Sequence, residues 1–449
     1  MRKKLNRNYI RAHDPVSDRL KVADNVLLNN SGIVDFNKKK IDTRDILIRD
    51  GKIADIGTIE VSDFNGQRID LSGKLVMPGL LDMHVHFREL GREDNETLLS
   101  GALSAVNGGF TGVCTMPNTQ PATDNREIIE YIQRTLSKHL VDVYPISAIT
   151  QGRKGENIVE IAELVDAGVI AFSDDGSAVP SPLLLRRALE YSRMFDILII
   201  EHCEDPTLAG NGVMHEGFMS SKLGMPGIPS IAEELIVARD IMLAQYTGGK
   251  IHIAHISTKG SVELVRRAKA ENVAVTCEVT PHHFSLTDQE LVSYDSNLKM
   301  NPPLRTQSDV DAVIKGLQDG TIDVIATDHA PHADEEKDVE FARAPFGIIG
   351  LETAIGLTIT NLVKAQKLDI FDAFRKLAIE PYRVLGLDIP EIKSGANANI
   401  SIVDHEIEWT VDANTFKSQS RNTPFNGYRL QGDSFGVINN KQYAISSEL

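Results

Sequence analysis

The sequence predicts an α/β chain: a (β/α)8 barrel of TIM type with a small β-sandwich domain formed from both chain ends. Three observations carry this. From about residue 75, short apolar runs alternate eight times with polar segments, most of them of helical spacing. The two ends differ, with short strands cut by Gly and Asn turns. Histidine and aspartate recur at the C-terminal ends of the apolar runs, where barrels of this kind place their chemistry.

The eight runs are KLVMPGLLDMHVH, FTGVCTMPN, VDVYPISAIT, GVIAFSDD, DILIIEHCED, KIHIAHIS, VAVTCEVTPHH and IDVIATDHAPH. Between them, NREIIEYIQRTLSKHL, NIVEIAELVDAG, SPLLLRRALEYSRMF, AEELIVARDIMLAQYTG, SVELVRRAKAEN and SDVDAVIKGLQDG repeat apolar residues at three- and four-residue steps, as one helix face does. Several end in Gly or Asn, as a helix C-terminus would. Gly108-Gly109 reads as a helix end rather than a phosphate loop. After the eighth run, FGIIGLETAIGLTITNLVKAQ and IFDAFRKLAIEPYRVLG are helical in pattern. A doubly wound sheet is the alternative, but no GxGxxG follows a strand. The expected division is a barrel over 76–389, a composite β-domain from 24–75 and 390–449, and a basic N-terminal extension over 1–23.

Composition sets outer limits. The 449 residues, 42% hydrophobic, suffice for a large domain and a smaller one. Lys+Arg 47 against Asp+Glu 63 leaves a net charge of −16, which argues against nucleic acid or an anionic membrane as partner. A small anion remains possible if basic side chains gather locally. Cys114, Cys203 and Cys277 are odd in number and far apart, which predicts buried reduced thiols rather than disulfides. No apolar run is long enough to span a bilayer, and the basic start MRKKLNRNYIRAHD has no apolar h-region after it. A cytoplasmic location is expected.

The polar residues at the run ends carry the chemistry. His84 and His86 close the first run and Asn118 the second. Asp174 and Asp175 follow the fourth. His202 closes the fifth and His255 the sixth. His282 and His283 follow the seventh, and Asp328, His329 and His332 the eighth. Side chains at i and i+2 of a strand point the same way, so HVH aims two imidazoles at one point, as two ligands of one metal. Arg88, two further on, can hold a carboxylate with its fork. His84, His86, His202, His255 and Asp328 are too many ligands for one tetrahedral zinc with an open position, and suit two metals bridged by Asp175 or Asp174. Imidazole and carboxylate ligands favour zinc, with Mn or Co possible. His252, His282, His283 and His329 are left to structural or supporting roles.

DMHVHFRELG, TMPNTQP, AFSDDG, EHCED, IHIAHIS, CEVTPHH, NPPLR, IATDHAPH and APFGIIGLET together resemble the amidohydrolase superfamily. Within it the chain, from about residue 24 to 440, resembles the class I (bacterial type) dihydroorotases. The resemblance implies reversible cyclisation of N-carbamoyl-L-aspartate to L-dihydroorotate plus water, in de novo pyrimidine (UMP) biosynthesis. It implies attack by a metal-bound hydroxide, with Asp328 as general acid/base. His84, His86 and Asp328 would bind the first of two zinc ions and His202 and His255 the second, with Asp175 as bridge. Arg88, Asn118 and His332, with His86, would hold the substrate carboxylate and neighbouring polar atoms. Asn301, Phe346 and Gly347 would contact the ring amides. The segment ADEEKDVEFARAPFG would be a mobile loop near the mouth. A homodimer, and association with aspartate transcarbamoylase, are the expected partners.

Many relatives bridge their metals with a carboxylated lysine, but no lysine stands between Ala171 and Arg186. Aspartate as bridge fits the class I enzymes, and the second metal is then expected to bind more weakly. Two rivals are a sister cyclic amidase (a hydantoinase or allantoinase) and an inactive scaffold for aspartate transcarbamoylase. The absent lysine and the presence of Arg88 and Asn118 argue against the first. The complete ligand set argues against the second.

Overall fold

The computed structural model describes residues 20–60 and 64–448, so most of the extension expected at 1–23 lies outside the described residues. The eight apolar runs form eight parallel strands: Leu80–Val85, Phe110–Thr115, Asp142–Ser147, Ala171–Ser173, Leu198–Glu201, Ile251–Ile253, Val275–Val279 and Val324–Ile325. Each pairs with the next in chain order. The ring closes through a single parallel bridge, Val85 to His329, with the His86 amide donating to the His329 carbonyl at 2.8 Å. Strands one and two are buried at every residue, which is why their sequences run continuously apolar instead of alternating.

Helices follow the strands. Leu98–Asn107, Arg126–Leu136, Ile161–Asp166, Pro182–Met194, Ser230–Thr247, Lys259–Ala270 and Gln307–Asp319 come after strands one to seven. Side-chain oxygens start several of them: Thr97 accepts from the Ser100 amide, Asn125 from Ile128 and Thr258 from Ser261. Of the first helix, LLSGALSAVN, the sequence reading gave only the end, at Gly108-Gly109. The helix is uncharged and buried around most of its circumference, so it shows no polar face to detect. Gly108 caps it.

The helix expected from Phe346 begins only at Ala354, running to Thr358 and continuing as a wider π-type turn, Ile359–Lys364. The apolar residues before it are not helical: Ile348 bridges His329, and its carbonyl accepts from the Ala330 amide at 2.8 Å. Their helical spacing reflects burial on several sides, not a helix.

The chain ends share one nine-stranded sheet. Leu75–Pro78 pairs with Ile400–Thr410, putting Val76 opposite Ile402, and Lys21 lies opposite Tyr443. Val26, Leu28, Ile46, Ile48, Val76, Ile400, Ile402 and Ile438, from strands along most of that sheet, pack into one core, as in a β-sandwich. The three cysteines are buried and free. No helix among the described residues is long and apolar enough to cross a membrane.

Ser401 locks this sheet to the barrel. Its hydroxyl accepts from the Leu80 amide at 2.9 Å and donates to the Gly109 carbonyl at 2.7 Å, fully buried. Tyr382 Oη adds a bond to the Gly79 carbonyl at 3.0 Å. Ser401→Ala strands one buried donor and one buried acceptor. We expect a loss of about 2–4 kcal/mol, read as a lower denaturant midpoint, with turnover in native buffer unchanged. An unchanged midpoint would show that this join contributes little.

Candidate metal centre

His84 and His86 leave the first strand on the same side and meet the turn after the eighth. His86 Nε2 lies 3.0 Å from Asp328 Oδ1, and His84 Nε2 lies 3.5 Å from the same oxygen. Asp175, just past the fourth strand, approaches both: its Oδ2 is 3.4 Å from each Nε2. Its other oxygen, Oδ1, faces His255 Nε2 at 3.5 Å and His202 Nδ1 at 3.6 Å. Five strand ends thus converge on one buried point. Two sets of donor atoms lie within 4.8 Å of one another: His84, His86 and Asp328; and His84, Asp175 and His255. His202 stands at the edge of the second set, its Nδ1 3.0 Å from His255 Nε2. Asp174 turns away. Its carboxylate accepts from the amides of Ile149 and Thr150 at 2.9 and 3.0 Å and from the Thr150 hydroxyl.

The outer partners fix which nitrogens face inwards. His84 Nδ1 donates to Glu278 Oε1 at 2.6 Å, and His86 Nδ1 to Asn118 Oδ1 at 2.7 Å. In the neutral imidazoles the lone pairs of both Nε2 atoms therefore point at the Asp175 and Asp328 oxygens. Lone pairs facing carboxylates in a dry pocket repel unless a cation lies between them. His84 Nε2 and Asp175 Oδ1 are buried with no hydrogen-bond partner. The donor set fits a divalent cation on this ground.

The charge balance says the same. Burial would push His84 towards its neutral form, yet the Asp175, Glu278 and Asp328 carboxylates hold its pKa well above the ordinary value. Burial likewise works to raise Asp328, but His84 and His86 outweigh it and bring it down to about 2. Glu278 is held well below the usual range by His84 and His252 against the same burial. The cluster calls for positive charge at its centre. His255 and Asp328 also sit at φ of 30° and 49°, a backbone region costly for side-chain-bearing residues.

A cavity of about 230 Å³ opens on the cluster. Its wall includes Arg88, Asn118, Asn301, His332, Phe346 and Gly347, beside His86, Asp175, His202, His255 and Asp328. Arg88 Nε donates to the Pro331 carbonyl at 3.1 Å. Among the described residues, Arg88 pairs with no carboxylate. Burial pulls its pKa down to about 10, partly offset by Asp328, Asp175 and Glu336, so it stays charged at neutral pH. His332 is pulled down to about 4 by burial, Arg88 and Lys337. A neutral ring can donate to only one of its two acceptors, Phe346 O at 2.8 Å and Glu336 Oε2 at 3.1 Å. Asn301 Oδ1 is buried without a partner, and its Nδ2 lies 3.5 Å from His202 Nε2.

The loop expected to be mobile is tied down in this structure. Asp334–Lys337 form a helical turn, and the buried Lys337 ammonium donates to the carbonyls of Ser296, Lys299 and Pro345 at 3.1, 3.2 and 2.8 Å.

The sequence reading passed over two supporting carboxylates. Glu278, in mid-strand, holds His84, accepts from the His255 amide at 3.4 Å and meets His252 Nε2 at 3.2 Å. Asp82 accepts from the Thr327 hydroxyl at 2.6 Å and from the Thr327 and His84 amides, joining strands one and eight. Burial raises its pKa to about 7 against those bonds. The available signal was a lone acidic residue inside an apolar strand run, two positions before His84 in one case and before TPHH in the other.

Comparison with known proteins follows the same lines. The family model described as "Dihydro-orotase-like" matches residues 73–261. The dihydroorotase of Pelotomaculum thermopropionicum is 52% identical over 413 residues, covering 92% of this chain and 96% of the relative. That of Acetivibrio thermocellus is 49% identical over 426 residues, covering 94% and 100%. Among solved structures, the L-hydantoinase (dihydropyrimidinase) of Arthrobacter aurescens superposes with a TM-score of 0.83 at 25% identity, over 94% of this chain and 96% of that one. The fold is thus shared with hydantoinases, while nearly full-length identity near one half lies with dihydroorotases, and the chain belongs to the dihydroorotase family of the amidohydrolase superfamily.

Proposed function

We propose that this chain catalyses the reversible hydrolysis of the ring amide of L-dihydroorotate to N-carbamoyl-L-aspartate, a step of de novo pyrimidine biosynthesis. One observation carries the choice of substrate: a charged guanidinium with no carboxylate partner, Arg88, faces the cavity beside a buried His/Asp cluster. That pairing asks for an anion with a hydrolysable bond close to its charge. An uncharged ring such as hydantoin leaves Arg88 without a partner.

His84, His86 and Asp328 would hold one zinc ion, and His202 and His255 the other, with Asp175 between them. When bound, the cations supply electrophilic activation of the amide carbonyl and of water. The rest falls to the chain's own groups. Arg88 grips the substrate carboxylate as a fork. The Asn118 amide nitrogen is free to face the substrate, since its oxygen is engaged by His86. Asn301 Oδ1 accepts from a ring N–H, and the Phe346–Gly347 backbone lines the far side of the ring. Asp328, ionised at neutral pH, takes the proton of the attacking water. As the ring carbon–nitrogen bond breaks, Asp328 returns that proton to the leaving nitrogen. In the reverse direction the same oxygen takes the proton from the carbamoyl nitrogen as the ring closes.

Three outcomes follow. Asp328→Ala should cut turnover of L-dihydroorotate by about 100- to 10,000-fold; near-normal turnover with metal still bound would remove its proton-transfer role. Arg88→Met should raise KM for L-dihydroorotate with a smaller effect on kcat, by about 2–4 kcal/mol or roughly 30- to 900-fold. An unchanged KM would mean the carboxylate sits elsewhere. Exhaustive chelation should abolish turnover and lower the thermal midpoint, and added zinc should restore both. Full activity in metal-free protein would end the metal reading.

A further inference from the structure

The pocket walls at His332 and Gly347 are the two ends of one segment after the eighth strand, joined directly where the Ala330 amide donates to the Ile348 carbonyl at 2.8 Å and His332 Nε2 meets the Phe346 carbonyl at 2.8 Å. Both are bound to one side chain from far along the sequence, Asn422. Its Nδ2 donates to the Ala330 carbonyl at 3.0 Å and to the Gly347 carbonyl at 3.1 Å. Its Oδ1 accepts from the His332 amide at 3.1 Å, and its own carbonyl accepts from the Ile349 amide at 3.0 Å. The residue is 3% exposed. A primary amide is the side-chain group that fits this site: two donors for two carbonyls and an acceptor for an N–H, all in one plane.

Asn422 is itself fixed. The strap before it is bound to two buried carboxylates: Ser418 Oγ donates to Glu96 Oε2 at 2.5 Å, and the Lys417 amide to Glu352 Oε1 at 2.7 Å. Nothing in the proton chemistry above uses these acids. The walls also leave no slack. A Cβ added at Gly347 would fall 2.8 Å from the Ala330 Cβ and 3.2 Å from His332 Nε2. A small shift of either end therefore moves the other.

We infer that Asn422 is a positioning residue for substrate recognition, clamping the adjoining His332 and Gly347 walls in place at one side of the cavity. It touches neither the metal ligands nor the reacting atoms. The inference rests on the function proposed above. It places the control of substrate fit in the C-terminal segment, outside the barrel strands.

The test compares Asn422→Ala and Asn422→Asp with the unaltered holoenzyme. Asp keeps the size but loses both donors, setting a carboxylate against two carbonyls. We expect KM for L-dihydroorotate to rise at least tenfold in both, with kcat falling less than threefold and zinc content unchanged. A merely structural role would lower the thermal midpoint and leave KM alone. KM within twofold of the unaltered protein, in either folded variant, overturns the inference. Failure of both variants to fold also overturns it, since Asn422 would then serve folding itself. If the unaltered protein does not turn over L-dihydroorotate, the proposed function falls first, and that result is separate from either variant's.

Discussion

Buried negative charge without a matching cation is the constraint on which the rest of the site depends. Asp175, Glu278 and Asp328 lie at the dry end of the barrel among His84, His86, His202, His252 and His255. An isolated carboxylate in such a place costs many kcal/mol. Outer partners turn the imidazoles so that their lone pairs and the carboxylates face a common centre, an arrangement that a divalent cation held there would stabilise. Each feature of the mouth makes sense as a means of holding that orientation. Glu278 orients His84, Asn118 orients His86, and Asp82 joins the first strand to the last.

The barrel supplies the geometry at low cost. Parallel strands in neighbouring register end at nearly one level, so two residues from strand one and one each from strands four, five, six and eight reach one point without long loops. Where the strand direction alone does not aim a side chain correctly, the backbone departs from regular form, as at His255 and Asp328. The cavity is then finished by segments outside the strands, the turn after the eighth strand and the Phe346–Gly347 stretch, with the strap from the C-terminal region behind them.

Much of this was legible in the sequence because its signals are local. HVH needs only strand alternation to be read, and Asp328 and His255 stand at the ends of obvious apolar runs. What escaped was decided by distant contacts. LLSGALSAVN folds as a helix, but burial on most sides leaves it no polar stripe. Residues 346–353 carry apolar spacing that suits a helix, yet Ile348 bridges His329, and the Gly347 and Ile349 amides donate to the carbonyls of Lys299 and Asn422. Glu278 looks like any strand residue until His84, 194 positions away, is found against it. Asn422 sits in a stretch with no metal-ligand or nucleophile pattern at all. Between Asp174 and Asp175, strand position alone left the bridge open, and only the family resemblance favoured Asp175. In the structure Thr150 and its neighbours occupy Asp174, leaving Asp175 to face the histidines.

The join at Ser401 has a consequence for how the chain is made. The amide it satisfies, on Leu80, precedes it by 321 positions. At a synthesis rate of about 5–20 residues per second, the first barrel strand waits roughly 15–65 s for the residue that completes its bonding. Through that interval the first strand is present while the hydroxyl that ties its start to the terminal sheet is missing. A ribosome that stops short of Ser401 releases a barrel that can close between its first and last strands but lacks the bond tying the start of that first strand to the terminal sheet.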